Sequence, residues 1–358
     1  MAFPIHGANY EALYKNFDLP LPTNVFDLSE NVNCLGTPDS VHQMWPHLFS
    51  ELTRYPHPEA EPLHSQLAMT HQLLNEQIVI GNGAAELLST YANLFSGKKV
   101  ILLHPTFSEY KETLTSAGAT CIDIITDVHA HELPLEKINA AMKIASCLYI
   151  CNPNNPTGKL LELDVLLSLI QTARQQQCHV LIDEAFMDWT DERNSVIPYV
   201  AQFEHVTVMR SMTKMYALAG IRLGYMVSHP ITITRIKQKL PHWNVNALAL
   251  SIGAQCLQEH TFRKRSIDVS KTQRMNITQF LREHGCIVLD SVANFVCFQL
   301  AQPEKTREFY FYCLTNGIVL RHTENYVGLN GQWLRIGLKK DEAMKAFQSI
   351  YLKWVVTL

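Results

Sequence analysis

With 358 residues, 47% hydrophobic and 18% charged, the chain is long enough for one large or two ordinary domains with a sizeable core, and its composition excludes a disordered polymer. Thirty Lys and Arg against 33 Asp and Glu leave a net charge of −3, so there is no basic field to hold nucleic acid. No charged-then-apolar leader opens the chain, no apolar run approaches the ~20 residues of a membrane helix, and the nine scattered cysteines include no C-x-x-C pair; the expectation is a reduced, cytoplasmic protein without a membrane partner.

In chain order, His6-Gly7-Ala8-Asn9 precedes a short helical pattern, Tyr10–Asn16, and Pro20 and Pro22 then impose extended chain. The polar-amide stretch Phe26–Gly36 and the rigid loop Arg54-Tyr55-Pro56-His57-Pro58 follow. Gln77–Ile80 reads as an apolar strand ending in Gly81-Asn82-Gly83-Ala84-Ala85, where a helix begins; small residues there leave backbone N–H groups open to an anion. Strands are then predicted at Lys99–Leu103, Cys147–Cys151, Val180–Ile182, Val206–Met209 and Leu223–Val227, with an amphipathic helix over Leu160–Gln176. This alternation predicts an α/β fold with a mainly parallel sheet and ligand groups at the strands' carboxyl ends. Beyond Pro230 the pattern is mostly helical to Glu283, then strands at Ala293–Gln299, Ile318–Arg321 and Trp333–Ile336, and helices over Glu304–Asn316 and from Asp341. The expected organisation is an N-terminal arm over residues 1–40, a large domain over 41–240 and a smaller α+β domain over 241–358. His129 and His131 are the closest histidine pair, but no ligand set of zinc spacing surrounds them and no metal site is predicted.

The chemistry concentrates in Val208–Tyr225. Lys214 stands between Met212, Met215 and Tyr216, where desolvation favours the neutral, nucleophilic amine. Ser211 and Arg222 suit a phosphate. Asp183 ends an apolar strand, where a carboxylate needs a partner. The pattern S-x-T-K-x-Y-x-x-x-G-x-R-x-G-Y resembles the lysine segment of fold-type I pyridoxal-phosphate enzymes, the aspartate aminotransferase superfamily. That resemblance implies pyridoxal 5′-phosphate as cofactor, bonded to Lys214, with Asp183 on its ring nitrogen, Asn155 on its phenolic oxygen and Tyr110 stacked on its face. It further implies a phosphate cup of Gly83, Ala84, Ala85, Ser211, Thr213 and Arg222, completed by Tyr55 reaching across a homodimer interface.

Within the superfamily, three features resemble threonine-phosphate decarboxylases: His6-Gly7-Ala8-Asn9, Phe186 in D-E-A-F, and Asn325-Tyr326-Val327-Gly328-Leu329 between Arg321 and Arg335. Histidinol-phosphate aminotransferases usually carry D-E-A-Y instead. The implied reaction is decarboxylation of L-threonine O-3-phosphate to 1-aminopropan-2-ol phosphate, in cobalamin biosynthesis. The alternatives are a histidinol-phosphate or related aminotransferase, or a decarboxylase of another phosphorylated amino acid such as phosphoserine. Such a substrate needs two anion sites: Arg321 with His6 and Gly7 for the phosphate, and Arg335 with Asn31 and Asn155 for the carboxylate. Cys34 stands where the superfamily's N-x-N-P-L-G loop usually has proline.

Overall fold

In the computed structural model, residues 7, 9–130 and 132–357 are described; His6, Ala8 and His131 lie outside the described residues. The N-terminal stretch contributes β1 (Phe26–Asp27). The apolar runs that follow are β2 (Ile78–Asn82), β3 (Lys99–His104), β4 (Thr120–Ile125), β5 (Cys147–Cys151), β6 (His179–Asp183), β7 (Val206–Ser211) and β8 (Leu223–Ser228). They form one seven-stranded sheet in the order β2-β8-β7-β6-β5-β3-β4. β3 to β7 run parallel to one another, whereas β8 is antiparallel to both β7 and β2, so the sheet is mainly parallel as expected. The central strands are apolar on both faces because helices cover both. Ile80, Ile101, Ile150, Ile182 and Val208 pack into one core layer, and Val79, Leu102, Tyr149, Leu181 and Met209 into the other.

Sequence reading missed β4, an edge strand carrying Asp123 whose side chains are mostly half-buried or exposed, so it lacks the apolar signature of its neighbours. The helices Leu63–His71 and Leu135–Met142 were missed with it. The predicted helical region after Pro230 resolves into Pro230–Lys237, Ala247–Cys256 and His260–Glu283.

A second sheet follows. β9 (Ile287–Val288) and β10 (Phe295–Gln299) precede β11 (Ile318–Val319), β12 (Arg321–His322) and β13 (Leu334–Gly337). β12, β13, β10 and β9 make an antiparallel four-stranded sheet in that order, and β11 instead pairs in parallel with β1. The single strand predicted over Ile318–Arg321 is therefore split at Leu320 between two sheets. Pairing with β11 holds the N-terminal stretch beside β12 and β13, which carry the two arginines. Among the described residues no helix is long and apolar enough to cross a membrane.

Beneath the carboxyl ends of β6 and β7 lies a buried ionic cluster. Arg210 Nε donates to Glu184 Oε2 at 2.8 Å, and the two side chains are 2% and 0% exposed. Arg210 also donates to Glu192 Oε1 at 2.6 Å, whose other oxygen takes Arg263 of the helix His260–Glu283 at 2.9 Å. Glu184 is completed by Ser195 Oγ and the Val196 N–H. Glu184→Ala leaves Arg210 buried beside a lost partner, and unfolding measurements should find it destabilised by about 3–5 kcal/mol. Arg193→Ala, which removes an exposed pair with Asp191, should leave the melting temperature unchanged.

Candidate active site

Strand register assembles the site. Cys151, Asp183 and Met209 are aligned neighbours across β5, β6 and β7, and all three line a cavity of about 280 Å³ at the sheet's carboxyl edge. Two residues beyond Met209, on the same face of β7, Ser211 also lines it, and there the strand turns into the short helix Met212–Met215 that carries Lys214. Side chains of alternating direction send Arg210 to the opposite face, into the ionic cluster.

Asp183 accepts the Tyr110 hydroxyl at 2.5 Å and the Ala185 N–H at 3.0 Å. Burial nevertheless raises its pKa to about 6, the mark of a carboxylate whose matching cation is not among the protein's own groups. Lys214 is shifted the other way, down to about 8, by loss of water and then by the Arg335 and Arg222 charges, with Glu30 and Asp183 opposing. Near neutrality its amine is far more available than an exposed lysine's.

At the far end of the cavity the helix Ala84–Ala92 begins, its first N–H groups free of intrahelical partners. Gly83 has φ +79°, and a Cβ there would stand 2.6 Å from an Arg222 terminal nitrogen, so only glycine lets that guanidinium lie against the helix start. Gly224 of β8 is similarly required, because a Cβ would meet the Ala84 nitrogen at 2.6 Å. With the Ser211 and Thr213 hydroxyls, this is a cradle for a phosphate. A pyridoxal phosphate fits the set: the cradle for its phosphate, Asp183 for its ring nitrogen, Lys214 for its aldehyde.

Two arginines close the other side. Arg335, on β13, is buried; one terminal nitrogen donates to Asn155 Oδ1 at 2.6 Å, the other to the Ser29 carbonyl at 2.6 Å, and its Nε has no partner. Its guanidinium lies 5.2 Å from the Phe295 ring, against which Phe186 packs edge-on at 5.0 Å. Arg321, on β12, donates to Asn325 Oδ1 at 2.9 Å and lies 5.1 Å from the Tyr326 ring. The Tyr326 hydroxyl approaches Asn155 Oδ1 at 3.4 Å, so one polar chain joins the two arginines.

Of the residues singled out in the sequence, Gly7, Asn31, Ala84, Ala85, Asn155, Asp183, Phe186, Ser211, Thr213, Lys214, Arg222, Arg321 and Arg335 line this one cavity, and Gly83 shapes it. Cys34 in place of proline leaves Asn31 in the cavity wall, where its backbone carbonyl accepts from Asn294. Tyr110 requires correction: its ring is buried behind Asp183, not on the cavity wall, because the helix Glu109–Ser116 turns it inward, and Phe107 supplies the aromatic surface instead. Tyr55 stands apart from this cavity, 82% exposed and 5.0 Å from the Trp243 ring. His6 lies outside the described residues. Sequence reasoning also passed over Tyr326, although its motif was noted, and Asn33, whose N–H donates to the Lys214 carbonyl and whose amide donates to the Met215 carbonyl at 2.7 Å.

A family model described as aminotransferase class I and II matches residues 23–349. A threonine-phosphate decarboxylase of Salmonella typhimurium is 29% identical over 321 residues, 89% of this chain and 88% of that protein. A histidinol-phosphate aminotransferase of Pyrococcus furiosus is 31% identical over 302 residues, 83% of each chain. The solved structure of the histidinol-phosphate aminotransferase from Clostridium acetobutylicum superposes with a TM-score of 0.88 at 27% identity, covering 93% of this chain and 100% of that one. With matches of that extent, and with a cavity that fits the cofactor at each end, the chain belongs to the class I and II aminotransferase family and is a pyridoxal 5′-phosphate enzyme.

Proposed function

We propose that this enzyme decarboxylates L-threonine O-3-phosphate to (R)-1-aminopropan-2-ol phosphate, and works as a homodimer. The observation that carries the reading is the pair of arginines, fourteen residues apart in sequence, that line one cavity with Lys214. Two fixed cations match a substrate with a carboxylate at one end and a phosphate at the other. Similarity to a threonine-phosphate decarboxylase supports the choice, while similarity to a histidinol-phosphate aminotransferase supports transamination as the second reading.

When bound, the cofactor supplies an electron-withdrawing ring that takes up the electron pair of a bond broken at Cα. The rest falls to the chain's own residues. Arg335, seated on Asn155 and the Ser29 carbonyl, would hold the carboxylate by its forked donors and so fix which bond at Cα is presented for cleavage. Arg321 holds the phosphate. Asp183 keeps its charge once a ring cation faces it, since that cation offsets the burial that otherwise raises its pKa. Lys214 Nζ, at about 8, is matched to return a proton near neutral pH to the carbon that has lost CO2. Phe186 puts an apolar edge, with no phenol donor, beside the ring site.

Support for the dimer comes from the surface. Tyr55 is accompanied by exposed Trp45, Phe49, Leu52 and Trp243, apolar area that a second copy would cover. Sedimentation should give a dimer, and Tyr55→Phe should weaken cofactor retention roughly tenfold through one lost hydrogen bond to a charged phosphate; a fully active monomer would remove this role.

Purified enzyme should release CO2 from L-threonine O-3-phosphate with no 2-oxo acid present. Arg321→Ala should raise KM for phosphorylated substrates, and Arg335→Ala should lower kcat more than it raises KM, because alignment is lost in the transition state. Amino transfer from histidinol phosphate to 2-oxoglutarate, with no CO2 from threonine phosphate, would instead assign the aminotransferase.

A further inference from the structure

The N-N-P-T-G turn that carries Asn155 runs on into Lys159, a half-buried cation that is absent from the wall of the catalytic cavity and that the proposed reaction does not use. Its Nζ donates to two backbone carbonyls, that of Val128 and, at 2.9 Å, that of Ala130. Both belong to the loop that joins β4 to the helix Leu135–Met142. The ammonium closes a turn that Asp127 already tightens, its carboxylate accepting the His129 N–H at 2.8 Å and its carbonyl the Ala130 N–H at 3.2 Å. Packing alone does not hold this loop against the sheet. A cavity of about 80 Å³, lined by Leu103, Thr126, Val128, Leu133, Ile150 and Lys159, lies between it and the ends of β3 and β5.

The second sheet rests on this loop. Val128 packs against the apolar cluster of Leu289, Cys297, Tyr326, Leu329 and Trp333. The His129 ring lies 5.6 Å from that of Trp333. At the loop's start, a Cβ on Gly328 would stand 3.1 Å from Ile125 Cγ2, so the turn Asn325–Leu329 lies directly on the end of β4. From this seat Tyr326 reaches the catalytic cavity, where its ring lies 5.1 Å from the Arg321 guanidinium and its hydroxyl 3.4 Å from Asn155 Oδ1.

We propose that Lys159 is a positioning residue for the phosphate subsite, clamping residues 126–130 into a seat for the Tyr326 turn and so setting how Arg321 is presented to the cavity. Without the ammonium, the Val128 and Ala130 carbonyls lose their donor and the loop has the cavity behind it to relax into. The turn that rests on the loop then moves with it. Arg335 is affected less, because its own bonds to Asn155 and the Ser29 carbonyl, both 2.6 Å, do not pass through the loop. The inference rests on the reading that Arg321 receives the substrate's phosphate.

Lys159→Met keeps the apolar stem and removes the donors. In the cofactor-loaded enzyme it should raise KM for L-threonine O-3-phosphate about tenfold, the scale of one hydrogen bond from a charged group, with kcat nearly unchanged. Affinity for L-threonine, which has the carboxylate but no phosphate and is read from the change in cofactor absorbance, should stay at the wild-type value. Lys159→Arg, whose guanidinium also donates to two carbonyls, should restore most of the lost KM. His129→Ala, an exposed change that leaves the clamp in place, should raise KM in the same direction by a smaller factor. Wild-type KM in Lys159→Met, an equal loss for threonine phosphate and threonine, or no recovery in Lys159→Arg overturns the proposal while leaving Arg321 in its role. Should Lys159→Met not fold, wild-type KM in His129→Ala overturns it instead. Wild-type KM in Arg321→Ala overturns the role of that arginine, and the proposal with it.

Discussion

Arg335 is a buried cation that, among the described residues, forms no ion pair. Taking a guanidinium out of water without a carboxylate beside it is costly, and burial pushes its pKa below the usual arginine value. The cost is limited by neutral oxygens from two distant parts of the chain, Asn155 after β5 and Ser29 after β1, and by the Phe295 ring beneath it. A group held this firmly yet left electrically unanswered is prepared for an anion that arrives from outside. Its charge reaches Lys214 as well, where it is the strongest charge holding the amine near 8. One buried arginine thus leaves an unanswered positive charge in the cavity and lowers the basicity of the lysine beside it.

Holding that arrangement requires the two sheets and the N-terminal stretch to agree. β1 pairs with β11, which places Ser29, Glu30 and Asn31 over the cavity, and Asn33 then ties the same loop to the backbone of Lys214 and Met215. The Asn33 amide also reaches Ser266 of the helix His260–Glu283 at 2.8 Å, and Arg263, one turn earlier, enters the ionic cluster under β6 and β7. The lysine segment is therefore gripped from above by the loop and from below by charges. A shift of any one of these parts moves the amine relative to Arg335, and angstrom-scale misplacement is where catalytic alignment is lost.

The sequence made the main parts of this site visible because each breaks a local pattern. Asp183 closes an apolar strand, Lys214 sits among methionines, and Arg321 and Arg335 flank a turn motif in otherwise apolar strands. What it could not convey is direction. Phe107 and Tyr110 lie three residues apart in one motif, and only the start of a helix between them decides that the first faces the cavity and the second the core. Ser29 acts through its carbonyl and Asn33 partly through its N–H, roles that leave no trace in side-chain chemistry. β4 went unread because an edge strand need not be apolar, and Ile318–Arg321 read as one strand because its division is imposed by partners far away in the chain.

The account turns on which bond at Cα Arg335 presents for cleavage, and that is measured by running the reaction of L-threonine O-3-phosphate in D2O. If the carboxylate is the group held perpendicular, the product carries one deuterium on the carbon that lost CO2 and retains the hydrogen that was on Cα, as proton NMR and mass spectrometry would record. Recovered threonine phosphate that has exchanged its Cα hydrogen for deuterium, with no CO2 released, would mean that Lys214 is presented with the C–H bond instead, and would contradict it.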